Sequence, residues 1–170
     1  INLNSGSGTQ SEITAKIMIE FEKYLVGKKT DLVLVVGDVT STMACSIVTK
    51  KLNIKLAHVE AGIRSNDMKM PEEINRIVTD SICDYFFTTT KSASKNLVKS
   101  GINKNNIFFV GNTMIDTLKR NLKSLRKPDF WNKLGLKYQN YFVITLHRPS
   151  NVDNFKKFNE IINEIIKNSY

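Results

Sequence analysis

Apolar positions along this chain switch between a helical and a strand spacing. Ile13, Ile17, Phe21 and Leu25 recur every four residues, which predicts a helix from near Gln10 to Gly27. Thr9 and Glu12, in "TQSE", form a capping-box pattern at its start. "DLVLVVGD" is then a continuous apolar run of strand length, closed by Gly37 and Asp38, as expected of a strand buried on both faces. "TSTMACSIVTKKLN" reads as a helix and "IKLAHVE" as the next strand. Pro71 stands where a first helical residue belongs, with Glu72 and Glu73 in the acidic first turn, and that helix should reach about Ile82. "DYFFTTT" predicts a third strand, "KSASKNLVKSG" a short helix closed by Gly101, and "NIFFVGN" a fourth strand before a helix over 113–125.

Pro128 and Gly135 break the periodicity in "RKPDFWNKLGLKYQN", which reads as a linker over 126–140. "YFVITLH" predicts a further strand and "NFKKFNEIINEIIKN" a last amphipathic helix. Strand and helix alternate throughout, which argues for an α/β fold, a doubly wound parallel sheet of Rossmann-like type. The expected organisation is most of one such domain over 1–125, the linker, and the start of a second over 141–170.

Composition narrows the partners. The chain has 170 residues, 41% hydrophobic and 24% charged, enough for one core and a piece of another. Its apolar runs fall short of the roughly 20 residues of a membrane helix, and "INLNSGSGTQ" has no signal-peptide pattern, so neither membrane insertion nor export is expected. The net charge of +9 is mostly dispersed lysine. It favours anionic ligands, but no arginine- or aromatic-rich stripe marks a nucleic-acid module. Cys45 and Cys83 read as buried thiols of a reducing, cytoplasmic compartment, and with two histidines no metal-ligand spacing exists.

In an open α/β sheet ligands gather beyond the carboxyl ends of the strands. Asp38, Glu60, Thr88 to Thr90, Asn112 and His147 all fall at such ends. Asp38 also suits a helix N-cap, the commoner use of an Asp there. Glu60 is poor turn chemistry, and a carboxylate at a buried strand end costs several kcal/mol unless paired or used. Glu72 and Glu73 suit the helix dipole without any further role. His58, inside an apolar strand, reads as a satisfied core histidine, and His147 with Arg148 as a charge-bearing group at a strand end. Gly6 and Gly8 imitate part of a dinucleotide loop, but Ser11 holds the third glycine position and no strand precedes it, so a nicotinamide or flavin cofactor is not expected. If the Asp38 and Glu60 strands are neighbours, about 4.8 Å apart, both carboxylates can face one small ligand. One can then act as base while the other holds a proton, which suits proton transfer at carbon.

"VVGDVTSTMA", "HVEAGIRS", "MPEEINRIVTDSICDYFFTTT", "VGNTMIDTL" and "VITLHRPSNVD" together resemble the non-hydrolysing UDP-N-acetylglucosamine 2-epimerases, in that family's order and spacing from about Ser5 to Asp153. The resemblance implies a two-domain GT-B architecture with a UDP-sugar in the interdomain cleft. It implies interconversion of UDP-GlcNAc and UDP-ManNAc. The proton at the sugar's second carbon is removed, UDP leaves by anti elimination, a 2-acetamidoglucal stays bound, and UDP adds back as a proton arrives on the other face. No external redox cofactor and no metal are implied, and a homodimer is common in the family.

Carried over by motif, Asp38, Glu60 and Glu72 match the family's acid/base carboxylates, with the order of their roles left open. His147 matches the histidine near the UDP phosphates. Arg148 is a phosphate contact by charge. Arg64, Asn75, Arg76 and Asn112 lie in the same motifs, where ordering loops and capping helices is an equal use. The chain departs from the family in lacking its opening Gly-Thr-Arg-Pro-Glu loop and most of its second domain. Val39 stands where threonine is usual, and Pro149 and Ser150 replace an arginine and a glutamate. The 170 residues therefore read as an internal portion of the enzyme, inactive by itself. Two other readings fit the same pattern: a GT-B glycosyltransferase, and a non-catalytic binding module that keeps the motifs.

Overall fold

The computed structural model describes residues 3, 5–146 and 149–168. The chain divides into two compact units, Ile1–Lys123 and Ser124–Tyr170. The first opens with α1 (Gln10–Leu25), started by the expected capping box: Glu12 N donates to Thr9 Oγ1, and Thr9 N donates to the Glu12 carboxylate at 2.7 Å. Of its apolar stripe, Ile17 and Leu25 are buried.

Four strands and their crossovers follow: β1 (Leu32–Val36), α2 (Thr40–Lys51), β2 (Lys55–Val59), α3 (Pro71–Ile82), β3 (Tyr85–Thr88), α4 (Lys91–Lys99), β4 (Ile107–Phe109) and α5 (Thr113–Asn121). The sheet is wholly parallel in the order β1-β2-β3-β4, with Val36 beside Val59 and Val59 beside Phe87. This is the expected α/β, Rossmann-like arrangement. Right-handed crossovers in an unbroken strand order stack α2, α3 and α4 on one face. Where they meet the sheet, Leu56, Ala61 and Phe86, with Leu97 of α4, are fully buried. On alternate positions of β1, Leu32, Leu34 and Val36 stay about half exposed on the other face.

Two local devices place the helices. Pro71 opens α3 at a position whose N–H needs no helical partner. Gly62, with φ +78°, lies so close to α4 that a Cβ there would stand 2.4 Å from the Ala93 carbonyl oxygen. Asn96 Nδ2 donates to the Gly62 carbonyl across this contact at 3.0 Å. Any side chain at Gly62 would push α4 off the sheet.

The second unit contains α6 (Phe130–Lys133), α7 (Pro149–Val152) and α8 (Phe155–Lys167). Apart from 149 and 150, its described residues include none that is buried. Trp131 and Tyr141 pack edge to face at 4.9 Å. Three expectations need correction. β1, expected to be buried on both faces, has one face about half exposed, because the crossovers of an unbroken strand order stack their helices on the other. Residues 141–146 form no strand: a strand exists by its ladder to a neighbour, and no other strand is described in this unit to provide one. The helix expected over 113–125 stops at Asn121 and tightens into a 3₁₀ turn over Leu122–Ser124. No helix among the described residues is long and apolar enough to cross a membrane.

Candidate functional site

Because all four strands run parallel, their C-terminal ends share one edge. Asp38 leaves β1 two residues beyond Val36, and Glu60 leaves β2, the neighbouring strand, one residue beyond its register partner Val59. The chain stays coupled there, since Gly37 N donates to the Val59 carbonyl at 3.0 Å. Glu60 holds φ +70°, left-handed backbone that costs a non-glycine residue about 1–2 kcal/mol. Glu60 Oε2 lies 3.7 Å from where a side chain at Gly37 would begin, so the carboxylate reaches back to the end of β1, and it is φ +71° that favours glycine at 37.

Asp38 does not cap α2. Val39 is the N-cap residue and provides no side-chain bond. The Asp38 carboxylate instead pairs closely with Arg76 Nη2 of α3. Asn75 Nδ2 donates to the Asp38 carbonyl at 2.8 Å, and His58 Nε2 donates to the Gly37 carbonyl at 2.9 Å. Three side chains from β2 and α3 therefore fix a two-residue turn.

His58 is fully buried, as expected of a core histidine, with Nδ1 2.7 Å from Asp80 Oδ1. Asp80, also buried, accepts from Gly62 N at 3.0 Å and pairs with Arg64 Nη1 at 2.6 Å. Both ring nitrogens of His58 face acceptors. Arg64, offered by its motif as a substrate contact, here spends Nη1 on Asp80 and on the Ile63 carbonyl.

Glu72 begins α3 half-buried. Among the described residues, no hydrogen bond or ion pair engages the Glu60 or Glu72 carboxylate. Asn112 caps α5 by accepting from Met114 N at 2.9 Å. Thr88 bonds to Ser94, and Thr90 caps α4. His147 and Arg148 lie outside the described residues. A cavity of about 510 Å³ opens beside Asn75 among the starts of α1, α2 and α3, with Gln10, Thr40 and Pro71 at its wall. No group of three His, Cys, Asp or Glu side chains is placed to share a cation among the described residues. Burial pushes the Cys45 thiol up to about 11 and the Cys83 thiol higher, with Asp80 and Asp84 adding to the latter, so neither is a ready nucleophile.

Glu73 is the residue that sequence reasoning missed. Its position in the first turn explained it as a helix-dipole acid, yet it is 1% exposed. Its carboxylate accepts from Ser65 N at 2.9 Å, Ser65 Oγ at 3.1 Å, Asn66 N at 3.1 Å and Arg76 Nη1 at 3.1 Å. Burial alone would raise its pKa, but those bonds outweigh it and hold the carboxyl below its ordinary range. The one available signal was the 73, 76, 80 spacing of Glu, Arg and Asp, a charged stripe on one side of a helix.

A family model described as UDP-N-acetylglucosamine 2-epimerase matches residues 1–170. A UDP-N-acetylglucosamine 2-epimerase of Methanocaldococcus jannaschii is 46% identical over 170 residues, covering 98% of this chain and 46% of the relative. One from Methanococcus maripaludis is 43% identical over 168 residues, covering 96% of this chain and 46% of the relative. The crystal structure of the Methanocaldococcus jannaschii UDP-GlcNAc 2-epimerase in complex with UDP-GlcNAc and UDP superposes with a TM-score of 0.88 at 46% identity, over 98% of this chain and 46% of that one. The chain spans about half the length of the curated relatives it matches.

Proposed function

Since the chain belongs to the UDP-N-acetylglucosamine 2-epimerase family, we propose that the whole protein interconverts UDP-GlcNAc and UDP-ManNAc. Glu60 is the observation that carries the site. A carboxylate held in strained backbone, beside a glycine, on the edge where Asp38 emerges, and without a partner among the described residues, is free to exchange a proton with a bound ligand.

In this reading a carboxylate of the set Asp38, Glu60 and Glu72 takes the proton from the sugar's second carbon. The electron pair of that C–H bond forms a double bond to the anomeric carbon, and the anomeric C–O bond breaks toward UDP. The bound glycal then rotates or shifts, a UDP oxygen re-forms the bond to the anomeric carbon, and a second carboxylic acid returns a proton to the opposite face. Carbon is neither oxidised nor reduced overall, so no redox cofactor is required. The Arg76 cation beside Asp38 distinguishes that carboxylate from Glu60, which is consistent with unequal roles. His147 and Arg148 are assigned to the diphosphate, and Arg64 and Asn112 to holding the loops that face the substrate.

The domain organisation proposed with it is most of the first Rossmann-like domain over 1–125, a linker over 126–140, and the start of the UDP-binding domain over 141–170. A cytoplasmic homodimer completes the reading. In a full-length protein containing this chain, Glu60→Gln should lower kcat by at least about 1,000-fold while UDP binding, followed by calorimetry, stays close to wild type. Turnover within a few fold of wild type removes Glu60 from the mechanism.

A further inference from the structure

The buried side of α3 is polar where a helix usually presents its apolar stripe. Glu73 and Asp80 are 1% and 3% exposed, and Asn75 and Thr79 lie with them. Burying a carboxylate is costly unless its bonds are complete. Glu73 meets that condition with four donors, and the donors come from two different places. Ser65 and Asn66 belong to the segment that leaves Glu60, while Arg76 reaches on to Asp38.

The geometry makes Glu73 a junction. The Arg76 guanidinium spans two carboxylates, Nη1 on Glu73 and Nη2 on Asp38, and its planar fork sets the distance and angle between them. On the other side, Glu73 fastens the far end of a loop whose near end is the strained Glu60. A left-handed glutamate persists only where its surroundings over-determine it. Gly62 N on Asp80 and Ser65 and Asn66 on Glu73 are those surroundings, both supplied by α3.

We propose that Glu73 is a positioning residue of the epimerase site, setting Asp38 through Arg76 and the Glu60 loop through Ser65 and Asn66. The proposal rests on the epimerase reading above. Glu73 itself touches no reacting atom. Its contribution is the separation and orientation of two carboxylates that must act on one carbon, where an ångström of misplacement costs about 100-fold in rate.

The test uses a full-length protein containing this chain. Glu73→Gln keeps the shape and loses the charge. It should lower kcat roughly 10- to 100-fold with KM for UDP-GlcNAc little changed. Arg76→Lys should give a loss of similar size, and the double variant should lose no more than the worse single, because both act through one chain of contacts. Unchanged kcat in Glu73→Gln, or losses that multiply in the double variant, overturn the proposal. Glu73→Asp, with the charge kept and the reach shortened, is read by the same criteria should Glu73→Gln not fold. A crystal structure of whichever variant folds decides the geometry independently of turnover. Asp38 and residues 63–66 displaced together support the proposal, and both unmoved overturn it. A wild type that does not interconvert the two sugar nucleotides contradicts the epimerase reading instead, and the crystal structure still decides the role of Glu73.

Discussion

Two apolar runs of similar composition, Leu32–Val36 and residues 141–146, lie in different surroundings. The first has β2 beside it in register and α2 packed over the Val35 face, and it is a strand. The second lies in a unit where no other strand is described, and Phe142 and Val143 remain 76% and 80% exposed. Apolar sequence creates a demand for burial, but the neighbour decides whether an element forms. The same contrast holds for charge. Glu73 in the first unit is enclosed by donors, whereas every acid described in the second unit is exposed. Partner supply therefore separates the described residues of the two units.

The contrast is broken most directly at the aromatic cores. Phe86→Ala should destabilise the first unit by about 3–5 kcal/mol, since a fully buried ring is lost and a cavity remains. In the 170-residue chain by itself, Phe142→Ala should shift stability by less than about 0.5 kcal/mol. Urea unfolding followed by circular dichroism measures both, and equal shifts would erase the distinction between the units.

Glu73 gives a smaller effect with a pH signature. Its folded pKa lies below its unfolded value, so the unfolded chain binds the proton more readily. The stabilisation is then present above the unfolded pKa and is lost as pH falls through the folded one. Glu73→Gln should cost about 2 kcal/mol at pH 7. The gap between its urea midpoint and that of wild type should narrow below about pH 4.5, and a gap constant down to pH 3 would contradict the linkage. Smallest of all are the lysine pairs. Lys50 donates to Asp84 at 2.8 Å, and Asp84 also holds Leu56 N at the start of β2, so Lys50→Met should cost about 1 kcal/mol. Lys167 and Glu164 stand 3.8 Å apart and largely exposed, and Lys167→Met should be neutral within about 0.5 kcal/mol. Thermal melts compare the two variants, and a larger loss at Lys167 would reverse the order.

Legibility in the sequence follows the same division. Local signals were readable because their partners are local. "TQSE" forms both bonds of its capping box, and Pro71 opens its helix. The parallel order was readable because each of the four apolar runs is followed by a helix, and it placed Asp38 and Glu60 on adjacent strand ends. Three features depended on partners that the local pattern does not identify. Glu73 looks like any first-turn acid until residues 65 and 66 fold back over it. Asp38 looks like a cap until Arg76 claims it. "YFVITL" has strand composition and no ladder. In each case the missing information was which group, if any, stands beside the element once the chain folds.

Proton exchange at the sugar's second carbon is the event for which this sheet edge is proposed. A full-length protein containing this chain, incubated with UDP-GlcNAc in D₂O and followed by NMR, measures it directly. The account predicts UDP-ManNAc carrying solvent deuterium at that carbon, deuterium entering the recovered UDP-GlcNAc as well, and neither in Glu60→Gln. Interconversion that keeps the original proton, or a sugar passed on to an acceptor with that carbon untouched, would contradict it.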